Sequence, residues 1–226
     1  MPYSTADIYI VDGNITLFLG SHSETFKQDI LHSSLLANLV SNSQSIASEN
    51  WLSAYKKALG NLFWITKSSG NQLLKKQPAS IIKFATPTLS SLLSATELKQ
   101  LSDAFGTIKN LPEDSDALIA LLNKIQHGSD NANTVCPLLT VIAANKTIIS
   151  LRPVFDTIHP VNIAILDEEL SQKEVLSGPQ ITLWVTYLAE EKYVSVRNKI
   201  IEKLGSKITT HLHHIPPYEK TALLDA

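Results

Sequence analysis

The chain has 226 residues, a formal net charge of -2, 44% hydrophobic residues and 18% charged residues. That length can bury a sizeable core without staples, and a near-neutral charge with scattered lysines gives no long-range attraction to nucleic acid or an anionic membrane. A single cysteine, Cys136, excludes an internal disulfide framework and a cysteine-based zinc cluster.

Residues 1–13, MPYSTADIYIVDG, lack a basic segment followed by an apolar one, and no apolar run reaches the ~18 residues that span a bilayer. A cytoplasmic location is the simplest expectation. A surface poor in charge and rich in serine and asparagine fits leaderless export equally well. Sequons at Asn14 and Asn145 mean little without a secretory signal.

In chain order, residues 8–11 and 15–19 are two β-prone runs around Asp12, Gly13 and Asn14, a hairpin pattern. From Ser23 a helical period begins, with Phe26, Ile30, Leu35, Leu36, Leu39 and Val40 on a broad apolar side, ended by the polar run SNSQSIASEN. A second helix is marked by Trp51, Tyr55, Ala58, Leu59 and Leu62, followed by Phe63, Trp64 and Ile65 and closed by residues 68–71. Such aromatic density reads as core rather than as a platform for a sugar or nucleobase. Residues 77–87, bounded by Pro78 and Pro87, read as a connector or short strand. Two more helices follow at 96–110 and 113–127, the second started by Pro112 with three acidic residues after it.

Residues 128–133 form the most loop-like stretch and mark a domain boundary, dividing a region 1–130 from a module 131–226, unless the N-terminal hairpin rejoins the second sheet. Beyond it, 135–143 and 147–151 flank Ala144, Asn145 and Lys146 as a hairpin, and 162–166 reads as a further strand. Residues 180–205 are the clearest stretch: a strand apolar on both faces, the charges Glu190, Glu191 and Lys192, then a helix stopped by Gly205. Residues 207–215 alternate as a last strand. The expected fold class is α+β: a helical N-terminal region of about four helices after a β-hairpin, then a C-terminal antiparallel sheet with one crossover helix.

The sequence has no nucleophile elbow, phosphate-binding loop, dinucleotide turn or His-Glu-x-x-His helix, and matches no family signature. On a strand, His211 and His213 would share a face and could supply two imidazoles to a zinc or nickel ion, although an exposed polar strand is the plainer account. Cys136, Asp156 and His159 are the one set resembling a thiol triad, against which stands a buried structural thiol. The acidic loop Asp167, Glu168, Glu169 with Glu174 could hold a divalent cation or could simply be solvated. Of the two arginines, Arg152 and Arg197, the second is expected to pair structurally with Glu190 or Glu191.

Missing catalytic motifs and a polar, weakly charged surface favour a non-enzymatic interaction, adaptor or accessory protein of a bacterium, of the kind a virulence repertoire contains, with a protein partner and no cofactor. The alternative is a small hydrolase or transferase using the histidines or the Cys136 set.

Overall fold

The computed structural model describes residues 6–44, 49–129 and 132–216. The middle of the run SNSQSIASEN (45–48) and two residues of the 128–133 loop (130–131) lie outside them. Among the described residues the chain is mixed α and β, with eight α-helices and one large, mostly antiparallel sheet.

The chain starts with the expected hairpin, β1 (Asp7–Val11) and β2 (Asn14–Phe18). Its turn residues Asp12 and Gly13 both have positive φ, 47° and 85°, as a two-residue primed turn requires. Helix α1 (Glu24–Ser41) is capped by Ser23, whose Oγ accepts from Phe26 N–H, and α2 (Glu49–Asn61) follows. Strand β3 (Trp64–Leu73) comes next, then α3 (Ile81–Leu89), α4 (Ala95–Lys109) and α5 (Asp116–Ile125). Four strands, β4 (Gln126–Ser129), β5 (Ala132–Val135), β6 (Leu139–Ile142) and β7 (Ile148–Thr157), precede β8 (Gln180–Leu188). The chain then forms α6 (Glu190–Tyr193), α7 (Arg197–Leu204), α8 (Lys207–His211) and β9 (Leu212–Ile215).

The main sheet runs β3-β8-β7-β6-β2-β1-β9, with β4 and β5 branching from β7. Strand β2 pairs in parallel with β6, the exception to an antiparallel pattern. Strands from both halves of the sequence therefore share one sheet. Both faces of its central strands are covered. One core joins Ile8, Ile10 and Leu17 of the hairpin to Phe84, Leu101, Phe105 and Leu121 of α3, α4 and α5. The other joins Phe18, Ile148, Trp184 and Leu188 to Phe26, Ile30, Trp51, Tyr55, Ile200 and Leu204 of α1, α2 and α7. Strand β8 divides its residues between the two, Ile181 and Val185 against Trp184 and Leu188, as its two-faced apolar pattern implies.

The finer arrangement differs from expectation in several places. Residues 128–129 and 132–133, read as loop, belong to the paired strands β4 and β5. Residues 64–73, read as a helix end and its closing loop, are β3: exposed on both faces beyond Trp64, the strand has no apolar alternation to betray it. Residues 81–89 are a helix in spite of Pro87, started by Ser80, whose Oγ accepts from Lys83 N–H. The arm 135–143 is broken at Cys136-Pro137-Leu138, where proline cannot donate to a ladder and the chain passes from β5 to β6. Residues 162–166, read as a strand, hold a short 3-10 turn at Ile163–Leu166, capped by Asn162, which accepts from Ala164 N–H. Residues 207–211 are helical, so the last strand is only Leu212–Ile215; Gly205, with φ of 52°, turns the chain into α8. In place of a single crossover helix, three short helices follow β8.

Arginine 197 does not pair with Glu190 or Glu191. Its Nε and Nη2 each donate at 2.7 Å to Asp29 on α1, a residue 2% exposed. The fork thus clamps α7 to α1 across the sequence. Removing the fork leaves Asp29 buried without its cation, which costs about 2 to 3 kcal/mol. Arg197→Ala is therefore expected to lower Tm by roughly 4 to 12 °C, with Arg197→Lys intermediate because an ammonium cannot reproduce the fork. Thermal unfolding followed by circular dichroism measures both.

Candidate functional site

Cys136 lies buried where β5 gives way to β6, its thiol 4.0 Å from the carbonyl oxygen of Lys124. Burial pushes the thiol up to about 11, against the pull of the nearby Arg152 guanidinium. Arg152 is itself buried on β7, 5.6 Å over the ring of Trp51, and desolvation lowers its pKa. Asp156, four residues beyond Arg152 on β7, accepts at 2.7 Å from the Thr134 hydroxyl. His159 is exposed, and its backbone oxygen accepts from the Thr157 hydroxyl at 2.8 Å. No side-chain hydrogen bond links any two of Cys136, Asp156 and His159.

The two histidines of the expected metal pair sit on different elements. His211 ends α8, whereas His213 lies on β9 opposite Ile10, so alternation along one strand does not relate them. His214, next on β9, packs its ring against Tyr9 with centroids 4.8 Å apart. Among the described residues no three His, Cys, Asp or Glu side chains group as a metal site would need. In the acidic loop, Lys109 donates to Asp167 at 2.7 Å and to Glu168 at 3.0 Å, Lys83 donates to Glu169 at 2.7 Å, and Glu174 accepts from Ser171 N–H.

Instead, His211 joins a cluster the sequence did not announce. Its Nδ1 donates at 2.9 Å to Oδ1 of Asp12, which is 8% exposed in the β1–β2 turn. The other carboxylate oxygen takes Lys124 of α5 at 3.2 Å and Asn42 at 3.1 Å, while Asp12 N–H donates to the His211 carbonyl at 2.8 Å. Next to it, Asn14 donates to Asn38 of α1 at 2.9 Å, and Asn38 donates to the Val11 carbonyl at 3.3 Å. Gly13 lets α5 approach: a Cβ there would come within 2.2 Å of Lys124 Cγ. One hairpin turn thus binds α1, α5 and α8 together. In the sequence, Asp12, Gly13 and Asn14 signalled a turn, and the turn's use as a polar hub left no further mark.

On the outer side of α1 and α2 lies an apolar groove of about 330 Å3, lined by Leu36, Val40, Ala54, Ala58 and Leu62, with Lys57 and Asn61 as its polar members. Val40 is 51% exposed. The signal for this groove was legible: the apolar side of α1 is broader than the stripe needed to face one sheet, and Val40 is its surplus. A groove of this kind can bury apolar side chains of a partner and offers one ammonium for a hydrogen bond.

No family model matches this chain, and no curated protein matches it. Three solved structures are similar to it at low level. The Evf virulence factor is 11% identical with a TM-score of 0.39, covering 92% of this chain and 85% of its own. The activated Cyt2Ba monomer from Bacillus thuringiensis subsp. israelensis is 12% identical with a TM-score of 0.43, covering 78% and 98%. A delta-endotoxin is 12% identical with a TM-score of 0.40, covering 79% and 82%. Likeness at this level assigns no function. No helix among the described residues is long and apolar enough to cross a membrane.

The state of Cys136 is directly measurable. A thiol lifted from its usual 9.0 to about 11 carries about a hundredfold less thiolate at neutral pH, and only thiolate reacts. Labelling of the folded protein with iodoacetamide at pH 8 is expected to run at least about a hundredfold slower than that of the urea-unfolded chain, with the modified fraction read by mass spectrometry.

Proposed function

We propose that this chain is a non-enzymatic interaction protein that binds an apolar segment of a protein partner in the groove between α1 and α2. One observation carries the reading: the groove is exposed, concave and apolar, with Val40 at its surface. Three of the titratable candidates, Cys136, Asp156 and His211, are by contrast engaged in contacts within the chain. A net charge of -2 supports a protein partner over nucleic acid. The accessory role in a bacterium rests on composition alone.

A photoreactive residue at position 40 would identify the partner by crosslinking. Val40→Asp is then expected to weaken its binding by about tenfold or more, since a charge in an apolar groove must be desolvated. Tm should stay within about 2 °C, because the side chain is half in water already. Val194→Asp, 55% exposed at the end of α6, serves as the control and should leave binding intact. Equal binding by the Val40 variant would sink the reading.

One observation favours the alternative of a small hydrolase or transferase. Asp12 holds His211 through Nδ1, the way a carboxylate orients a general base. That reading requires a turnover activity which His211→Gln abolishes while binding at the groove persists.

We also infer that the chain folds as one unit rather than as separate modules 1–130 and 131–226. The parallel pairing of β2 with β6 supports this, because each half supplies neighbours to the other's strands. Unfolding in urea monitored by tryptophan fluorescence and by far-ultraviolet circular dichroism should then give coincident single transitions. Two separated midpoints would contradict it.

A further inference from the structure

Strand β3 ends the main sheet and, among the described residues, pairs only with β8. Its outer edge therefore presents a row of backbone N–H and C=O groups. Every residue from Ile65 to Leu73 is exposed, so neither helical layer buries the strand beyond Trp64. Open edges are usually blunted by proline, inward charge, bulges or short length. β3 is ten residues long and has no proline, and its single irregularity lies between Thr66 and Ser68. Residues 68–73, SSGNQL, form a regular, uncharged run.

The strand is also held firmly. Lys56 donates to the Ser69 hydroxyl at 3.0 Å and sits 4.7 Å over the Trp184 ring. At the strand's exit, Leu74 N–H donates to the Pro179 carbonyl at 2.8 Å. Gly178 packs so closely there that a Cβ would come within 2.2 Å of the Leu74 oxygen. A rigid edge loses little freedom on pairing.

We propose that β3 pairs antiparallel with β3 of a second copy of this chain, joining the two sheets across a two-fold axis at Gly70. Two-fold antiparallel pairing requires that opposed residues lie on the same face, and an axis at Gly70 satisfies this: Ser69 meets Asn71 and Ser68 meets Gln72. Polar, uncharged side chains oppose one another from Ser68 to Gln72, and at the ends of the ribbon Lys67 lies opposite Leu73. The one charge on the strand, Lys67, falls at opposite ends of the ribbon in the two copies, about 20 Å apart, beyond the ~8 Å over which salt leaves charges in communication. A charged foreign strand would find no counter-charge on this run. A ribbon contact of this size falls below the ~800 Å2 per partner of a standard interface, so the dimer is weak and concentration-dependent. The surface shares no residue with the α1–α2 groove, and the two readings stand or fall separately.

A Cβ at Gly70 meets nothing within 4 Å, so side chains can be introduced there without disturbing the fold. Sedimentation velocity of the full chain between about 1 and 300 μM is expected to pass from monomer to dimer. Gly70→Lys and Gly70→Asp each place like charges on the axis and should weaken association at least about tenfold, and an equimolar mixture of the two should regain it. Gly70→Cys should crosslink under mild oxidation, since the native thiol of Cys136 is buried. A monomer at every concentration overturns the proposal, as does a dimer that Gly70→Lys leaves intact or that the mixture fails to restore. A dimer broken by Val40→Asp and not by Gly70→Lys also overturns it and moves the contact to the groove.

Discussion

Strand β2 has no exposed residue, and the rest of the structure is a response to that constraint. A strand buried on both faces needs a helical layer on each side, and every polar group it carries must find a partner inside the protein. The apolar side chains of Ile15 and Leu17 go to one core and that of Phe18 to the other. Thr140 and Ser150, on neighbouring central strands, share a hydrogen bond at 3.3 Å between their hydroxyls. The chain meets the constraint by threading: the hairpin is laid down first, helices are built over both sides of it, and β6 arrives later to complete its hydrogen bonding.

Such threading brings distant segments into contact, and the polar residues hold the seams. Asp29 takes the Arg197 fork where α7 crosses α1. A turn farther on, Ser33 accepts from the indole N–H of Trp64 at 2.9 Å, fixing the start of β3 to the same helix. Asp12 does this for α5 and α8 at the opposite end of the hairpin. A hydrophobic face alone tolerates sliding, because apolar contact is non-directional. A buried carboxylate held through two donors tolerates very little. The few charged residues inside this protein set register where two layers of ordinary aliphatic packing would leave it loose.

The sequence revealed what depends on local periodicity and concealed what depends on pairing at a distance. Helices α1, α2, α4 and α5, the first hairpin, the β6–β7 hairpin and β8 all announce themselves through repeating apolar positions and turn residues. β3 could not: its exposed faces carry Ser, Gly, Asn and Gln, a composition that reads as loop, and only the neighbouring β8 makes it a strand. Residues 207–211 failed in the opposite sense, since Ile208 and the β-branched Thr209 and Thr210 suit a strand while the turn at Gly205 directs them into a helix. The parallel β2–β6 pair was equally hidden, because no local signal tells a strand which neighbour it will take more than a hundred residues later. For the site the same division holds. Residues conspicuous as chemistry, Cys136, His211 and His213, were visible as types, yet the partners that define their surroundings, Arg152, Asp12 and Ile10, lie on other elements of the fold.

The two covered faces and the two ends of the sheet carry different physical burdens. The β9 end is four residues long, lies beside α8 and is crowded by imidazoles, one of them packed on Tyr9. Short length and ionisable side chains are the ordinary defences of an edge. The β3 end is ten residues long and carries one charge, Lys67, beside its single irregularity; Lys56, reaching in from α2, lies over the Trp184 ring instead of over the open backbone. A long open edge costs a protein in misassociation unless the pairing it invites is useful. The same holds for the surplus apolar width of α1, which could have been polar without loss to either core. Both features lie on the surface away from the buried carboxylates, so substitutions there leave undisturbed the polar seams that hold the layers in register.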